Sequence, residues 1–274
     1  ELCFTFFNRV AGVKVMEAQD LMHPIFTRDV AHGGRSFGHK RWLEDNPDKR
    51  SNPREGLRDY IKAEFRVLAD KIQLYSPDYL YNMLPDVNEL DEIIIEFNKI
   101  SDDDWHSDDI MGWMYEYYNR TKREEFKSTG DKIEYQWVSL TSQVYTPRWV
   151  VEFILNNSLG KLWMEMHPNS SLKDNHYIAN IPEEATIVAK PVQDIKVLDP
   201  AVGSGNFLLY AFDLFYEMYK EEGLVADSEI PQKIIENNIH GIDLDDRAIQ
   251  IAQLGLYIKA MELNKNAVID HTNV

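Results

Sequence analysis

The run Asp199-Pro200-Ala201-Val202-Gly203-Ser204-Gly205-Asn206-Phe207-Leu208 holds the residues best suited to chemistry in this 274-residue chain. An aspartate closes a short apolar stretch, and two glycines then clear side chains from a turn so that its backbone can lie against a ligand. The spacing is not that of a dinucleotide fingerprint. Leu208 stands where the third glycine of G-x-G-x-x-G belongs, and no Gly-Lys-Ser/Thr follows to make a Walker loop. By itself a Gly-Ser-Gly turn is only a turn, but a second acid changes its meaning. Asp243 ends Gly241-Ile242-Asp243, 38 residues beyond Gly205, where a carboxylate can accept hydrogen bonds from both hydroxyls of a ribose. Upstream, Tyr145-Thr146-Pro147 precedes a helix expected over 148–157, with threonine suited to the cap and proline to the first helical position.

These residues need a scaffold that brings them together. The apolar run 195–199 predicts a strand, 207–219 a helix, 238–243 a second strand and 247–262 a second helix, the order of a parallel unit in a doubly wound sheet. Ligands bind at the carboxyl ends of such strands, where Asp199 and Asp243 stand. Residues 163–193, with Pro168, Pro182 and Pro191, read as an irregular surface insertion, and 121–130 as a polar link. Residues 4–132 show helical periodicity, as in Phe6, Val10, Val13 and Ala18, or Tyr60, Ile61, Phe65, Leu68 and Ile72. Within that region 31–41 and 45–54 read as loops, the first glycine-rich and basic. Ser101-Asp102-Asp103-Asp104-Trp105 reads as a helix cap, since it lacks the glycine and distal glutamate of a calcium loop. Two domains are expected, a helical one over 1–135 and a second, α/β one over 136–274.

The chain carries a formal charge of -17, which is awkward for gripping a phosphate backbone. Its distribution is uneven. Residues 1–75 hold 13 basic and 11 acidic side chains (net +2), 76–144 hold 6 and 16 (net -10), and 145–274 hold 10 and 19 (net -9). Only the first stretch has the balance to face nucleic acid. No run is long and apolar enough to cross a bilayer and no signal peptide opens the chain, so a cytoplasmic protein is expected. The single cysteine, Cys3, is expected to be a small core side chain, and no metal site is indicated because His23, His32 and His39 lack ligand spacing.

The run from Asp199 to Leu208 resembles motif I, D-P-A-C-G-S-G-x-F-L, of the amino-methyltransferases that act on adenine in DNA, with Val202 in place of cysteine. Tyr145-Thr146-Pro147 is similar to their motif X and Gly241-Ile242-Asp243-Leu244 to their motif II, with Arg247-Ala248 at the start of the next helix. Asp109-Ile110-Met111-Gly112-Trp113-Met114-Tyr115-Glu116 resembles the D-x-L-G-x-x-Y-E element that precedes motif X. This order, behind a helical region, is similar to type I modification subunits, type IIG enzymes and, over most of the chain, the PglX family of BREX-type adenine methyltransferases. The resemblance implies a class I, Rossmann-like methyltransferase sheet with S-adenosyl-L-methionine as cofactor. It places Tyr145, Thr146 and Pro147 by the methionine end. Asp199, Gly203 and Gly205 would shape the central pocket, with Pro200, Ala201, Ser204, Asn206 and Phe207 also binding the cofactor, while Asp243 would hold the ribose and Leu244 would lie on the adenine. It further implies double-stranded DNA and other phage-defence subunits as partners.

The family holds its target amine with an N/D-P-P-Y/F motif beside an aromatic ring. No Pro-Pro pair occurs in these 274 residues, and Asn46-Pro47-Asp48 and Asn52-Pro53-Arg54 fail the pattern. No catalytic residue is therefore assigned, and the chain is read as an inactive front portion of the enzyme. An assembly module with a vestigial cofactor pocket is the alternative from another class. A nicotinamide oxidoreductase is disfavoured by Leu208, and a methyltransferase for RNA, protein or small molecules by the Tyr145-Thr146-Pro147 context.

Overall fold

The computed structural model describes residues 2–79, 82–107, 110–130, 132–142, 144–269 and 271–274, without the side chains of 135, 136, 139 and 142. Asp109, which opens the element before motif X, lies outside the described residues. The chain divides into two compact units, Glu1–Met111 and Gly112–Val274.

The first unit is built on α1 (Leu2–Ala18), whose burial runs almost all the way round from Phe4 to Glu17. The apolar face at Phe6, Val10 and Val13 is therefore not the only one covered. Arg9, Lys14 and Glu17 are buried with it, because each finds polar partners. Arg9 donates to the Leu74 carbonyl (2.7 Å) and to Asn82 (2.9 Å), and its own carbonyl accepts from the Tyr75 hydroxyl. Glu17 accepts three successive backbone amides, from Ile25 (2.7 Å), Phe26 (2.6 Å) and Thr27 (3.0 Å), which clamps the following loop. Cys3, expected in the core, is exposed in the first turn of α1.

After the clamped loop comes an antiparallel hairpin, β1 (Arg28–Asp29) with β2 (Arg35–Ser36). The second half of the expected loop 31–41 is instead helical: α2 (Phe37–Asp45) opens on Ser36, whose hydroxyl accepts the His39 amide. The two Asn-Pro pairs open short 3₁₀ turns at Pro47–Ser51 and Pro53–Gly56, with proline in the first turn, where its missing amide costs nothing. Next come α3 (Leu57–Ala69), α4 (Val87–Phe97) and the one-turn α5 (Asp102–Trp105), which Ser101 caps as expected. Phe97 and Trp105 stack at 5.9 Å in the core of this unit.

In the second unit α6 (Ile110–Thr129) runs through the expected polar link, and its Phe126 stacks on Trp137 of α7 (Tyr135–Ser142). Next is α8 (Arg148–Leu155), which continues through a π turn at Asn156–Gly160 into α9 (Lys161–Met166). The segment after it holds α10 (Leu172–Asn175) and is not purely a surface insertion: Leu172, Ile178 and Val192 join the main core. Then come β3 (Val197–Asp199), α11 (Asn206–Glu222), α12 (Ile230–Lys233), β4 (Ile239–Gly241) and α13 (Asp246–Leu263). β3 and β4 pair in parallel, Val197 with Ile239 and Asp199 with Gly241, and His240 makes a parallel bridge to Asn273. The described chain is thus mostly helical, and this small parallel pair is its main sheet. α11 presses Leu208, Phe212, Phe215 and Tyr219 into the core between the paired strands and α13. Asn238 is fully buried; it donates to the carbonyls of Val192 and Ile195 (both 2.7 Å) and accepts from the Tyr219 hydroxyl, tying the chain before β3 to the start of β4. Among the described residues no helix is long and apolar enough to cross a membrane.

Replacing Glu17 by Gln removes the charge from a buried acceptor of several hydrogen bonds, each worth about 1.5–3 kcal/mol. The expected result is a loss of about 3 kcal/mol of stability, seen as a lower urea midpoint at unchanged slope.

Candidate cofactor site

The last residue of β3 and the residues just past β4 lie side by side because the strands are parallel and in register. The chain crosses between them by backbone bonds: Ile242 N donates to the Asp199 carbonyl (2.9 Å) and Val202 N to the Ile242 carbonyl (3.2 Å). Asp243 then uses both carboxylate oxygens, accepting the Gly203 amide (2.8 Å) and the Asp245 amide (2.9 Å). The glycine turn and the end of the second strand are thereby fastened to each other. Gly203 and Gly205 both have positive φ (54° and 90°), and a Cβ on Gly205 would lie 3.0–3.1 Å from Ala252 of α13. Glycine at 205 thus serves both the turn and the close approach of α11 to α13.

A cleft of about 460 Å³ opens over this junction. It lies within the range of small-molecule sites, ~300–1,000 Å³. Tyr145, Thr146, Asp199, Pro200, Ala201, Gly203, Ser204, Asn206, Phe207, Asp243 and Leu244 all line it. Of the residues assigned from sequence, two stand back from it. Gly205 is turned into the packing with Ala252, and Pro147 takes the cap position of α8. Thr146 therefore does not cap that helix, since it lies one residue too early, and no side chain caps the first turn. Instead its carbonyl accepts from Asn206 at 3.4 Å, which joins the upstream segment to the turn.

Four lining residues were missing from the sequence assignment: Tyr115, Glu116, Val144 and Val202. Tyr115 and Glu116 come from α6, which reaches the cleft because Gly112 lies against Ser204, Asn206 and Tyr145; a Cβ there would meet their atoms at 3.3–3.5 Å. Tyr115 donates to Asp245 (3.1 Å), whose carboxylate also takes a two-pronged bond from Arg247 (2.8 and 2.6 Å) and caps α13. Burial pushes the Asp245 carboxyl up, but the Arg247 bonds outweigh it and hold the group below its ordinary range. The Tyr115-Glu116 pair ends the motif-like run Asp109–Glu116, but a single sequence carries no distance that ties it to the turn.

The electrostatics of the cleft suit a cation. Glu116, Asp199 and Asp243 line it, and no lysine or arginine does among the described residues. Asp199 accepts the Ala201 amide through one oxygen (2.9 Å), and its other oxygen is buried without a hydrogen-bond partner among the described residues. Burial, and then the repulsion from Asp243, raise its pKa above the ordinary aspartate value.

Comparison with known proteins gives this cleft its class. Residues 176–273 match the family model described as MmeI, DNA-methyltransferase domain, so the junction of β3, β4 and α13 belongs to a methyltransferase domain. More narrowly, the chain belongs with the adenine-specific methyltransferases BrxX and PglX. It is 31% identical to adenine-specific methyltransferase BrxX of Escherichia coli O9:H4 (strain HS) over 210 residues, covering 72% of this chain and 17% of that protein. It is 26% identical to adenine-specific methyltransferase PglX of Lacticaseibacillus casei (strain Zhang), covering 97% of this chain and 26% of that one. A putative type II restriction enzyme and methyltransferase of Methanocaldococcus jannaschii is 27% identical over 178 residues, 56% of this chain and 14% of its own length. The chain thus spans about a quarter or less of the length of these relatives.

Because folding raises the Asp199 pKa, the folded chain holds that proton more tightly than the unfolded chain. The ionised carboxylate therefore opposes folding above its folded pKa, and the opposition fades as pH falls. Asp199→Asn should raise the melting temperature of the ligand-free chain at neutral pH and flatten its rise on mild acidification. Melting curves from pH 4 to 8 test this, and a lower melting temperature at pH 7 would refute it.

Proposed function

We propose that this chain forms the S-adenosyl-L-methionine-binding part of an N6-adenine DNA methyltransferase of the phage-defence type. The observation that carries the reading is the convergence of Asp199, the Gly203 turn, Asp243 and the Tyr145-Thr146 segment on one acid-lined cleft, in a chain whose relatives are adenine-specific methyltransferases. The residues present fit the cofactor. Its sulfonium and ammonium are cations, the cleft is lined by three carboxylates, and the buried free oxygen of Asp199 is placed to accept from an ammonium. Asp243 would exchange its Gly203 contact for, or share it with, the ribose hydroxyls. Ser204 and Asn206 would supply polar contacts near the methionine end, and Phe207 and Leu244 apolar walls. When bound, the cofactor supplies an electrophilic methyl group. In this reading the β3, β4 pair is the beginning of a class I, Rossmann-like sheet.

The residues that would hold the adenine amine are not among these 274, since no N/D-P-P-Y/F motif occurs in them. Two features support further strands joining the sheet elsewhere in the enzyme. The outer edge of β3 is unpaired among the described residues, and it borders an apolar groove that includes Ile154, Leu159, Leu162, Leu198 and Phe207. Leu198, at 60% exposure in mid-strand, is uncovered as an inner-sheet residue would be before its neighbours arrive. Duplex DNA and other defence subunits are the proposed partners of the whole enzyme.

Calorimetry tests the cofactor reading. S-adenosylmethionine should bind with roughly micromolar affinity, and Asp243→Ala should weaken it by about 10- to 150-fold, as expected for lost hydrogen bonds to a charged acceptor. The chain alone should leave plasmid DNA unmethylated. Absence of binding in a folded form that includes the additional strands would favour the assembly-module alternative.

A further inference from the structure

We propose that a small cleft in the first unit, between the β1–β2 hairpin and the Pro53–Gly56 turn, seats a phosphodiester of a nucleic-acid backbone. It measures about 180 Å³ and is lined by Arg28, Arg35, Arg54, His39, Glu55 and Asp91 among others. That is below the ~300 Å³ of usual coenzyme pockets, and it suits one compact group.

Its charges do not balance. Arg28 and Arg54 share the Asp91 carboxylate, the latter through Nε at 3.3 Å, while Arg35 grips Glu55 with two bonds (2.6 and 2.7 Å). Arg50 is near enough to act on the same Glu55 carboxylate. Three guanidinium groups, of Arg28, Arg35 and Arg54, thus line the cleft with two carboxylates, and Arg50 acts on Glu55 from outside that lining, a local excess of positive charge in a chain of net charge -17. Burial lowers the His39 pKa, so this residue adds no charge at neutral pH. Arg50 and Arg54 are exposed. Arginine in such a fork matches the geometry of a phosphate.

The backbone points the same way. Arg54 (φ 49°, ψ 36°), Glu55 (φ 53°, ψ 42°) and Gly56 (φ 69°, ψ 22°) form three successive left-handed residues. For the two that are not glycine this conformation is strained, because Cβ crowds the following carbonyl oxygen. The ion pairs to Asp91 and Arg35 hold them there, and the turn thereby presents both side chains to the cleft. On the hairpin side of the cleft, Gly34 leaves open space, with no atom within 4 Å of a Cβ built on it, whereas one on Gly33 would lie 2.6 Å from Arg35 Nη1. A ligand backbone can approach on that side. The choice of nucleic acid over free phosphate rests on the methyltransferase reading above, and on the net positive balance of residues 1–75 in an otherwise acidic chain. Sequence-independent contacts of this kind set position and salt dependence and do not read bases.

The test is fluorescence anisotropy of the whole chain with a short labelled DNA duplex over a series of salt concentrations. Arg50→Gln with Arg54→Gln should weaken binding about tenfold or more at low salt and reduce the salt slope by about two; Arg50→Gln alone, which breaks no ion pair, should reduce it by about one. Lys99→Gln, which lies outside the cleft, should change neither. An unaltered slope in both variants, no duplex binding by the parent chain, or displacement of duplex by millimolar inorganic phosphate at constant ionic strength would overturn the proposal. Its failure is separable from that of the cofactor reading, since S-adenosylmethionine binding should be the same in the parent and in both arginine variants.

Discussion

The hydrogen bond from the Gly203 amide to the Asp243 carboxylate is the constraint on which the candidate site depends. It joins two loops that leave neighbouring parallel strands, and the backbone bonds between 199, 202 and 242 close the same junction from below. Once the loops are fastened, α11 and α13 must start from one place, and they can do so only because Gly205 lets them approach. Asp245 extends the fastening outward: its carboxylate caps α13, grips Arg247 and accepts from Tyr115 of α6. A chain of carboxylates therefore organises the rim of the cleft, each paired where it serves structure.

Asp199 is the exception. It is partly buried, faces Asp243, and keeps one oxygen without a partner among the described residues. A fold tolerates such a group where a ligand completes it, because the unpaired acceptor and the like-charge repulsion are both relieved by a cation. The raised Asp199 carboxyl and its unpartnered oxygen are what a positively charged ligand would relieve, which is a physical reason for preferring the cofactor reading to that of an inert turn.

The first unit follows another logic. Its central helix buries charge on several sides, and Glu17 and Arg9 are accommodated by backbone groups of the loops they hold. The loop held by Glu17 leads into the hairpin, and the arginines of that hairpin and of the left-handed turn outnumber their carboxylate partners. The acidic character of the whole chain hides this local excess.

Sequence alone determined the order and type of the elements around the site, because apolar runs, a glycine turn and strand-end acids are local signals. The strands at 197–199 and 239–241 and the helices at 206–222 and 246–263 fall within a few residues of expectation, and the turn and Asp243 meet as their spacing required. It also determined family membership, since motif-like runs are read residue by residue. Tertiary structure alone decided which residues face the cleft. Tyr115 and Glu116 lie more than 80 residues from the glycine turn and reach it only because Gly112 allows close packing, while Gly205 is turned toward Ala252 of α13 and Pro147 opens α8. It also decided that α1 is buried nearly all round, that residues 37–45 form a helix and that Cys3 is exposed, because burial of a charged side chain depends on distant partners such as Leu74 and Asn82. Local pattern specifies secondary structure; long-range contacts decide which side of it meets the ligand.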